Sequence, residues 1–162
     1  MQHPIVLQDL YEYQTSGPAL PEPAHQTENL LVYFDTATEI LHVKWQGQVN
    51  TPALRGGYVQ ILRMVQRYKP TKWVLDLQNR ALIEKQDQQW VFKQIFPKVL
   101  RLVQSDVFIA VILPVYLYES MIHDLDGDEF IDNDNLLIMH HFLYYEECLR
   151  WLQGEQDTGA RA

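Results

Sequence analysis

An acidic stretch in the second half of the chain carries its densest set of potential ligand atoms. Residues 123–135, HDLDGDEFIDNDN, contain five Asp, one Glu and two Asn. Calcium loops hold their ion with side-chain oxygens at positions 1, 3 and 5, and Asp124, Asp126 and Asp128 have that spacing. These three aspartates are therefore the candidate metal ligands of the sequence.

The remainder of the stretch departs from a calcium loop. Position 6 requires Gly for a sharp turn but is Glu129, and position 12 requires a bidentate Glu but is Asn135. The flanking residues are typical of a short helix and a strand, whereas a calcium loop lies between two helices. We interpret the stretch as an acidic surface loop. Weak divalent-cation binding by residues 124–135 in another geometry stays open as an alternative.

The other reactive side chains do not form a catalytic set in the sequence. His140 and His141 are neighbours in a predicted strand and point to opposite faces, so they cannot chelate one ion together. The single cysteine, Cys148, lies on the apolar stripe of the last predicted helix and is typical of a buried hydrophobe. Glu84 and Asp87 are spaced as neighbours on a helix, where a solvated face is the usual environment. The sequence therefore predicts a protein that is not an enzyme and has no cofactor.

The composition is that of one globular domain with an acidic surface. The chain has 162 residues and a formal net charge of -8, from 13 Lys and Arg against 21 Asp and Glu. An acidic surface repels nucleic-acid phosphates and anionic lipid headgroups, so neither partner is expected. The longest apolar run without Pro, residues 107–113, has the length of a strand rather than of a membrane span. With one cysteine and no apparent signal peptide, a cytoplasmic location is expected.

Hydrophobic spacing predicts alternating strands and helices after an irregular N-terminal segment. Residues 1–28 are predicted to be an extended arm or linker, since 16–29 carry three Pro and one Gly, and residues 155–162 a flexible tail. The predicted strands are residues 30–34, 39–45, 72–77, 106–114 and 135–142, and the predicted helices are 52–68, 83–103, 116–125 and 144–154. The domain at 29–154 then has the element order ββαβαβαβα. This order predicts an α/β domain with a mixed, mostly parallel sheet of about five strands.

Two of the predicted helices contain residues that affect where they begin, how stable they are or whether they continue. Thr51 is expected to cap the helix at 52–68, and Gly56 and Gly57 weaken that helix while allowing it to approach the sheet closely. Pro97 is expected to kink the helix at 83–103 or to split it in two.

The strand at 39–45 alternates between two kinds of side chain. Leu41, Val43 and Trp45 share one face, whereas His42 and Lys44 share the other. This alternation predicts a strand with one solvated face near the edge of the sheet.

The order of elements and several short sequences resemble the STAS fold, the domain of anti-sigma-factor antagonists and of sulfate-transporter tails. The closest likeness is to small stand-alone bacterial proteins labelled STAS/SEC14-like. The residues that carry the resemblance are HVKWQG (42–47), WVLDL (73–77), QQWVFKQIFP (88–97), IAVILP (109–114) and YEECLRWLQG (145–154). The resemblance implies the STAS fold and a role in protein binding.

Regulatory STAS domains are switched by phosphorylation of a Ser or Thr that follows the strand bearing the counterpart of Asp76. Residues 76–104 of this chain contain neither Ser nor Thr. A switch of that kind therefore cannot operate here, and regulation of sigma factors is not expected.

The expected binding surface lies where the parallel strands end, because open α/β sheets bind their partners beyond the carboxyl ends of the strands. This position assigns Asp76, Gln78, Asn79 and Arg80 as the predicted protein-binding residues, followed by the turn around Pro114. The leading hypothesis is a non-enzymatic regulatory or scaffolding module that acts through protein contacts. A small-ligand or lipid carrier is the alternative, and homodimerisation through the N-terminal arm is a further expectation.

Overall fold

The computed structural model describes residues 24–117, 129–132 and 134–155. Within these ranges, seven strands form one sheet with the spatial order β1-β2-β3-β4-β5-β7-β6. The strands are β1 (Ala24–Gln26), β2 (Leu30–Asp35), β3 (Ile40–Gly47), β4 (Lys72–Arg80), β5 (Val107–Ile112), β6 (Glu129–Asp132) and β7 (Asn135–Phe142). The helices are α1 (Thr51–Tyr68), α2 (Lys85–Trp90), α3 (Phe96–Val103) and α4 (Tyr145–Arg150). The predicted α/β domain with a mixed sheet is confirmed.

The sheet differs from the expected one in size and in the direction of its strands. It has seven strands in the described part of the chain rather than about five. Its parallel pairings, β3–β4, β4–β5 and β5–β7, are equal in number to its antiparallel ones, β1–β2, β2–β3 and β6–β7. The two additional strands are at the outer edges. They are three and four residues long, so hydrophobic alternation is too short to mark them.

Both additional strands fall in segments that were expected to be irregular. The strand β1 lies near the end of the predicted arm 1–28, and residues 1–23 are outside the described ranges. The strand β6 lies inside the acidic stretch and pairs with β7 through a tight connection, in which Asp134 has a positive φ of 72°. Aspartate tolerates this left-handed conformation better than most residues.

Two apolar cores lie on opposite faces of the sheet. On the face that we call the front, Leu41, Trp73 and Ile109 are fully buried beneath α1 to α3. On the back face, Val74 and Ala110 pack against α4 and the residues that follow it. All six residues of β5 are buried, as predicted for a central strand covered on both sides.

The helix at 85–103 is interrupted at the predicted proline. Residues Val91–Ile95 form a π-helical turn between α2 and α3, and Pro97 lies in the first turn of α3. Proline has no N–H to donate to the preceding turn, and a widened turn accommodates that loss. The predicted effect of Pro97 is therefore found as a π-helical interruption rather than as a break in the helical backbone.

The helix α1 starts one residue earlier than expected and lies against Trp45. Its N-cap is Asn50 rather than Thr51, since the Asn50 side chain accepts a hydrogen bond of 2.9 Å from the Ala53 N–H. A Cβ at Gly57 would collide with the Trp45 ring and lie 2.9 Å from Leu30. Close approach of this helix to the sheet therefore requires glycine at position 57.

None of the helices in the described part of the chain is long and apolar enough to cross a lipid bilayer.

The adjacent glycines of α1 provide a matched test of this packing. We expect Gly57→Ala to lower the free energy of unfolding by about 1–3 kcal/mol, because the new methyl group overpacks against Trp45. At Gly56 a Cβ would meet no atom within 4 Å, so Gly56→Ala should raise stability by up to about 1 kcal/mol through helix propensity. Urea denaturation of both variants measures the difference. Equal effects of the two substitutions would show that Trp45 does not limit the approach of the helix.

Candidate functional site

The parallel strands β3, β4, β5 and β7 end at one side of the sheet, which we call the carboxyl edge. Two hydrogen bonds between neighbouring connections tie this edge together. The Ala81 N–H donates to the Gly47 carbonyl at 3.0 Å, and the Leu113 N–H donates to the Phe142 carbonyl at 3.0 Å. The ends of the four strands are thus held in register where α/β sheets usually place their binding sites.

A bulge in β4 determines the direction of the polar side chains at this edge. Lys44 of β3 pairs with Asp76 and Gln46 pairs with Asn79, so β4 has one extra residue between these two pairs. An extra residue reverses the alternation of side chains beyond it. Arg80 therefore lies on the front face with Leu77, instead of on the back face where strict alternation from Asp76 would place it.

The four predicted binding residues do not share one surface. Asp76 is on the back face, where its carboxylate lies 3.6 Å from the Lys44 ammonium and accepts a hydrogen bond of 2.9 Å from the Gln78 N–H. Gln78 is half-buried, Asn79 is exposed, and Arg80 is buried on the front. Of the four, Asn79 is open to a partner and Arg80 is not.

Arg80 lines a cavity of about 60 Å³ on the front face at the carboxyl edge. The strands contribute the apolar residues Leu77, Val111 and Met139 to its walls, and Phe92 closes it from the helical side. This volume holds about four or five water-sized groups.

The polar residues of this cavity are buried and unevenly satisfied. Arg80 is 5% exposed, and its Nη2 donates to the Val49 carbonyl over 3.5 Å, while its Nε has no hydrogen-bond partner among the described residues. Burial lowers the pKa of Arg80, and Tyr58 and Asp87 oppose this effect. Asp87 is 5% exposed and accepts a hydrogen bond of 2.8 Å from the Thr51 hydroxyl. The expectation that Asp87 belongs to a solvated helix face is therefore wrong.

The two adjacent histidines lie on opposite faces, as predicted. His141 is buried and lines the front cavity, whereas His140 is half-buried on the back face with its ring centroid 4.9 Å from that of Trp151. They do not form a joint metal site.

The back face of β3 carries buried polar side chains rather than a solvated surface. His42 stacks on Tyr33 with ring centroids 4.7 Å apart, and it lies 6.2 Å from the Tyr145 ring. Burial lowers the pKa of His42 to about 4, so the imidazole is neutral at pH 7. Lys44 is also buried, beside Asp76, and burial raises the pKa of that carboxyl group. The predicted solvated face is therefore wrong, since β3 lies inside the sheet between β2 and β4.

The thiol of Cys148 is buried in the back-face core, as predicted. Burial raises its pKa far above neutrality, with Asp76 contributing in the same direction. The thiol therefore remains protonated at pH 7 and is a poor nucleophile.

Four large apolar side chains are exposed along the carboxyl edge. Leu82 is 61% exposed, Val115 80%, Tyr116 65% and Tyr144 62%. They follow β4, β5 and β7, which are consecutive neighbours in the sheet, and we call these four residues the apolar rim. The Tyr116 hydroxyl donates to the Arg80 carbonyl at 2.9 Å, which ties the connection after β5 to that after β4.

Few features of the sequence mark this rim. Tyr116 and Tyr144 are two of four tyrosines in the second half of the chain, and tyrosine is common both in cores and at interfaces. Leu82 and Val115 carried no signal other than being apolar residues in the connections directly after predicted strands.

The candidate calcium ligands Asp124, Asp126 and Asp128 lie outside the described residues. Within the described ranges, no group of three or more His, Cys, Asp and Glu side chains is arranged to hold a metal ion.

Comparisons with protein-family models and with curated proteins identify no relative of this chain. No protein-family model matches the chain, and no curated protein matches its sequence. The class of this protein therefore rests on its own architecture. It is an α/β domain in which three neighbouring parallel strands end at an apolar rim.

Burial of His42 predicts that the free energy of unfolding depends on pH. Its pKa is about 4 in the folded state against about 6.5 when unfolded, so the unfolded state binds more protons as pH falls through this window. The stabilisation is complete above pH 6.5 and is lost between pH 6.5 and 4. Between pH 7 and 4 the wild-type protein should lose up to about 3 kcal/mol more than His42→Phe. The control His25→Gln, at a half-buried position in β1, should behave like wild type. Parallel pH profiles for wild type and His42→Phe in urea denaturation would contradict the assignment.

The hydrogen bond between Thr51 and Asp87 predicts a second effect on stability. Thr51→Val keeps the shape of the side chain but leaves the buried carboxylate without this donor, so the free energy of unfolding should fall by about 1–3 kcal/mol. Thr38→Val in the exposed β2–β3 turn is the matched control and should change it by less than about 0.5 kcal/mol. Indistinguishable urea midpoints for the two variants would argue against a stabilising role for this contact.

Proposed function

We propose that this protein is a STAS-like, non-enzymatic module that acts through protein contacts, and that a partner protein binds at the apolar rim. The observation that carries the proposal is the position of Leu82, Val115, Tyr116 and Tyr144 at the ends of three neighbouring strands. Single exposed apolar residues are common on protein surfaces, but several at one edge mark a contact surface. Tyrosine in particular is enriched at interfaces.

Hydrogen bonds order the apolar rim in the free protein. The Tyr116–Arg80 and Leu113–Phe142 hydrogen bonds join connections that follow neighbouring strands. A surface that is already ordered loses less conformational entropy on binding, which favours affinity. Asn79, which is exposed in β4, adds a polar group at the same edge.

The order of elements supports the STAS-like assignment. A hairpin of β2 and β3 is followed by α1, β4, the helices α2 and α3, and then β5, which is the first part of the order on which the resemblance depends. The absence of Ser and Thr between residues 76 and 104 implies that the contact is not controlled by phosphorylation there.

The protonation of the buried Cys148 thiol favours a non-enzymatic role. Cys148 is buried and protonated at neutral pH, so it does not supply a thiolate nucleophile.

The cavities of the described residues favour protein contacts over a lipid-carrier role. The front cavity of about 60 Å³ is small compared with the several hundred Å³ that a drug-sized ligand fills. A larger depression of about 370 Å³ lies between α1 and the β1–β2 turn, where both polar residues such as Glu28 and apolar residues such as Trp45 line it, but it is partly open to solvent and does not enclose a ligand as a lipid carrier would.

The rim can be tested by affinity capture from a lysate of the organism that encodes the protein. The triple variant Leu82→Ser, Val115→Ser and Tyr144→Ser should lose a partner that wild type recovers, because the apolar contact area is removed. Tyr116 stays unchanged because its hydroxyl hydrogen-bonds to the Arg80 carbonyl.

The control for this experiment is Val59→Ser, which alters a half-exposed apolar residue on α1, away from the rim, and should retain the partner. Thermal melting checks that both variants fold, and light scattering identifies a second copy as the partner if one binds. Recovery of neither a partner protein nor a dimer by wild type contradicts the proposal. Retention of the partner by the triple variant contradicts the position of the site.

A further inference from the structure

The guanidinium of Arg80 is buried without a full set of acceptors. Arginine carries five N–H donors and keeps its charge in proteins. The Arg80 Nη2 has a 3.5 Å contact to the Val49 carbonyl, and its Nε has no partner among the described residues. The Asp87 side chain lines the same cavity and accepts a hydrogen bond from Thr51 rather than from Arg80. A buried cation with unused donors is unfavourable unless an acceptor is supplied.

The backbone holds Arg80 in this position from both sides. The β4 bulge turns its side chain to the front, the Tyr116 hydroxyl hydrogen-bonds to its carbonyl, and the next residue, Ala81, bonds to Gly47. Bulges near functional sites commonly redirect a side chain in this way. The side chain is therefore directed towards the cavity at the carboxyl edge by the fold itself.

The cavity beside Arg80 limits the ligand in size and chemistry. Its volume of about 60 Å³ admits about four or five non-hydrogen atoms. Leu77, Val111 and Met139 form apolar walls, so the body of the ligand should be apolar. A carboxylate matches the planar fork of a guanidinium through two parallel hydrogen bonds and carries an apolar part as well.

We propose that this cavity is a binding site for a small monocarboxylate of two or three carbons, with the carboxylate on Arg80 and the alkyl end against the apolar walls. Inorganic phosphate is excluded by its second charge and its lack of an apolar part, both of which raise the cost of entering a largely apolar cavity. The proposal is independent of the protein contacts at the apolar rim.

Titration of the full-length protein with sodium propionate tests the site, with sodium chloride, propionamide and inorganic phosphate as comparisons at equal ionic strength. Propionate at about 20 mM should raise the melting temperature above the value in chloride, with a Kd on the order of 1 mM by calorimetry. The neutral amide and phosphate should give no shift beyond chloride. Backbone amide resonances of Leu77 and Arg80 should move on addition of propionate alone.

Substitution of Arg80 distinguishes recognition of the carboxylate from general effects of salt. Arg80→Met should weaken propionate binding at least about tenfold, because the charged donors are lost. Arg101→Met, at an exposed position of α3, should leave it unchanged, as should the triple rim variant. If Arg80→Met does not fold, the comparison of propionate with propionamide on the wild-type protein decides the matter alone. Equal shifts for propionate, propionamide and chloride would overturn the proposal and leave a cavity filled by ordered water only.

Discussion

The extra residue of β4 between Asp76 and Asn79 controls the arrangement of the carboxyl edge. Before the bulge, β4 directs Asp76 to the back face, where the carboxylate meets Lys44. After it, the alternation is reversed and Arg80 enters the front core. One change of register therefore places an acid and a base from the same strand on opposite sides of the sheet. It also leaves Asn79 exposed between them.

Buried polar groups are the common property of this edge and of the neighbouring part of β3. Each has a defined neighbour: Lys44 lies beside Asp76, His42 stacks on Tyr33, and Asp87 accepts from Thr51. Groups of this kind are unfavourable in a core unless paired, so they specify register and helix position more strictly than apolar contacts do. Arg80 lines the front cavity and keeps an Nε without a hydrogen-bond partner among the described residues. For that reason the front cavity, rather than the back face, is the place to expect a small ligand.

Several parts of the fold were predictable because their signals are local. The apolar run of β5 marks a central strand, the helical spacing before Tyr68 marks α1, and Pro97 interrupts the following helix. The edge strands β1 and β6 were missed because three or four residues become a strand only by pairing with a neighbour. The same limit applies to the site. The residues after Asp76 were expected to form a loop, but Gln78, Asn79 and Arg80 belong to β4, and the exposed Leu82 and Val115 were not singled out.

The sequence by itself determined the class of the domain, its longer strands, the helix α1 and the burial of Cys148, since hydrophobic spacing is a property of neighbouring residues. It also placed His140 and His141 on opposite faces, because alternation within a strand is local. Only the tertiary structure decided that His42, Lys44 and Arg80 are buried and that the apolar rim is exposed. Burial depends on which strands flank a residue and on the register between them. The bulge of β4 reverses the face of Arg80 without any mark in the local pattern. On β3, His42 and Lys44 alternate as if solvated but are buried, because Tyr33, Tyr145 and Asp76 lie against them.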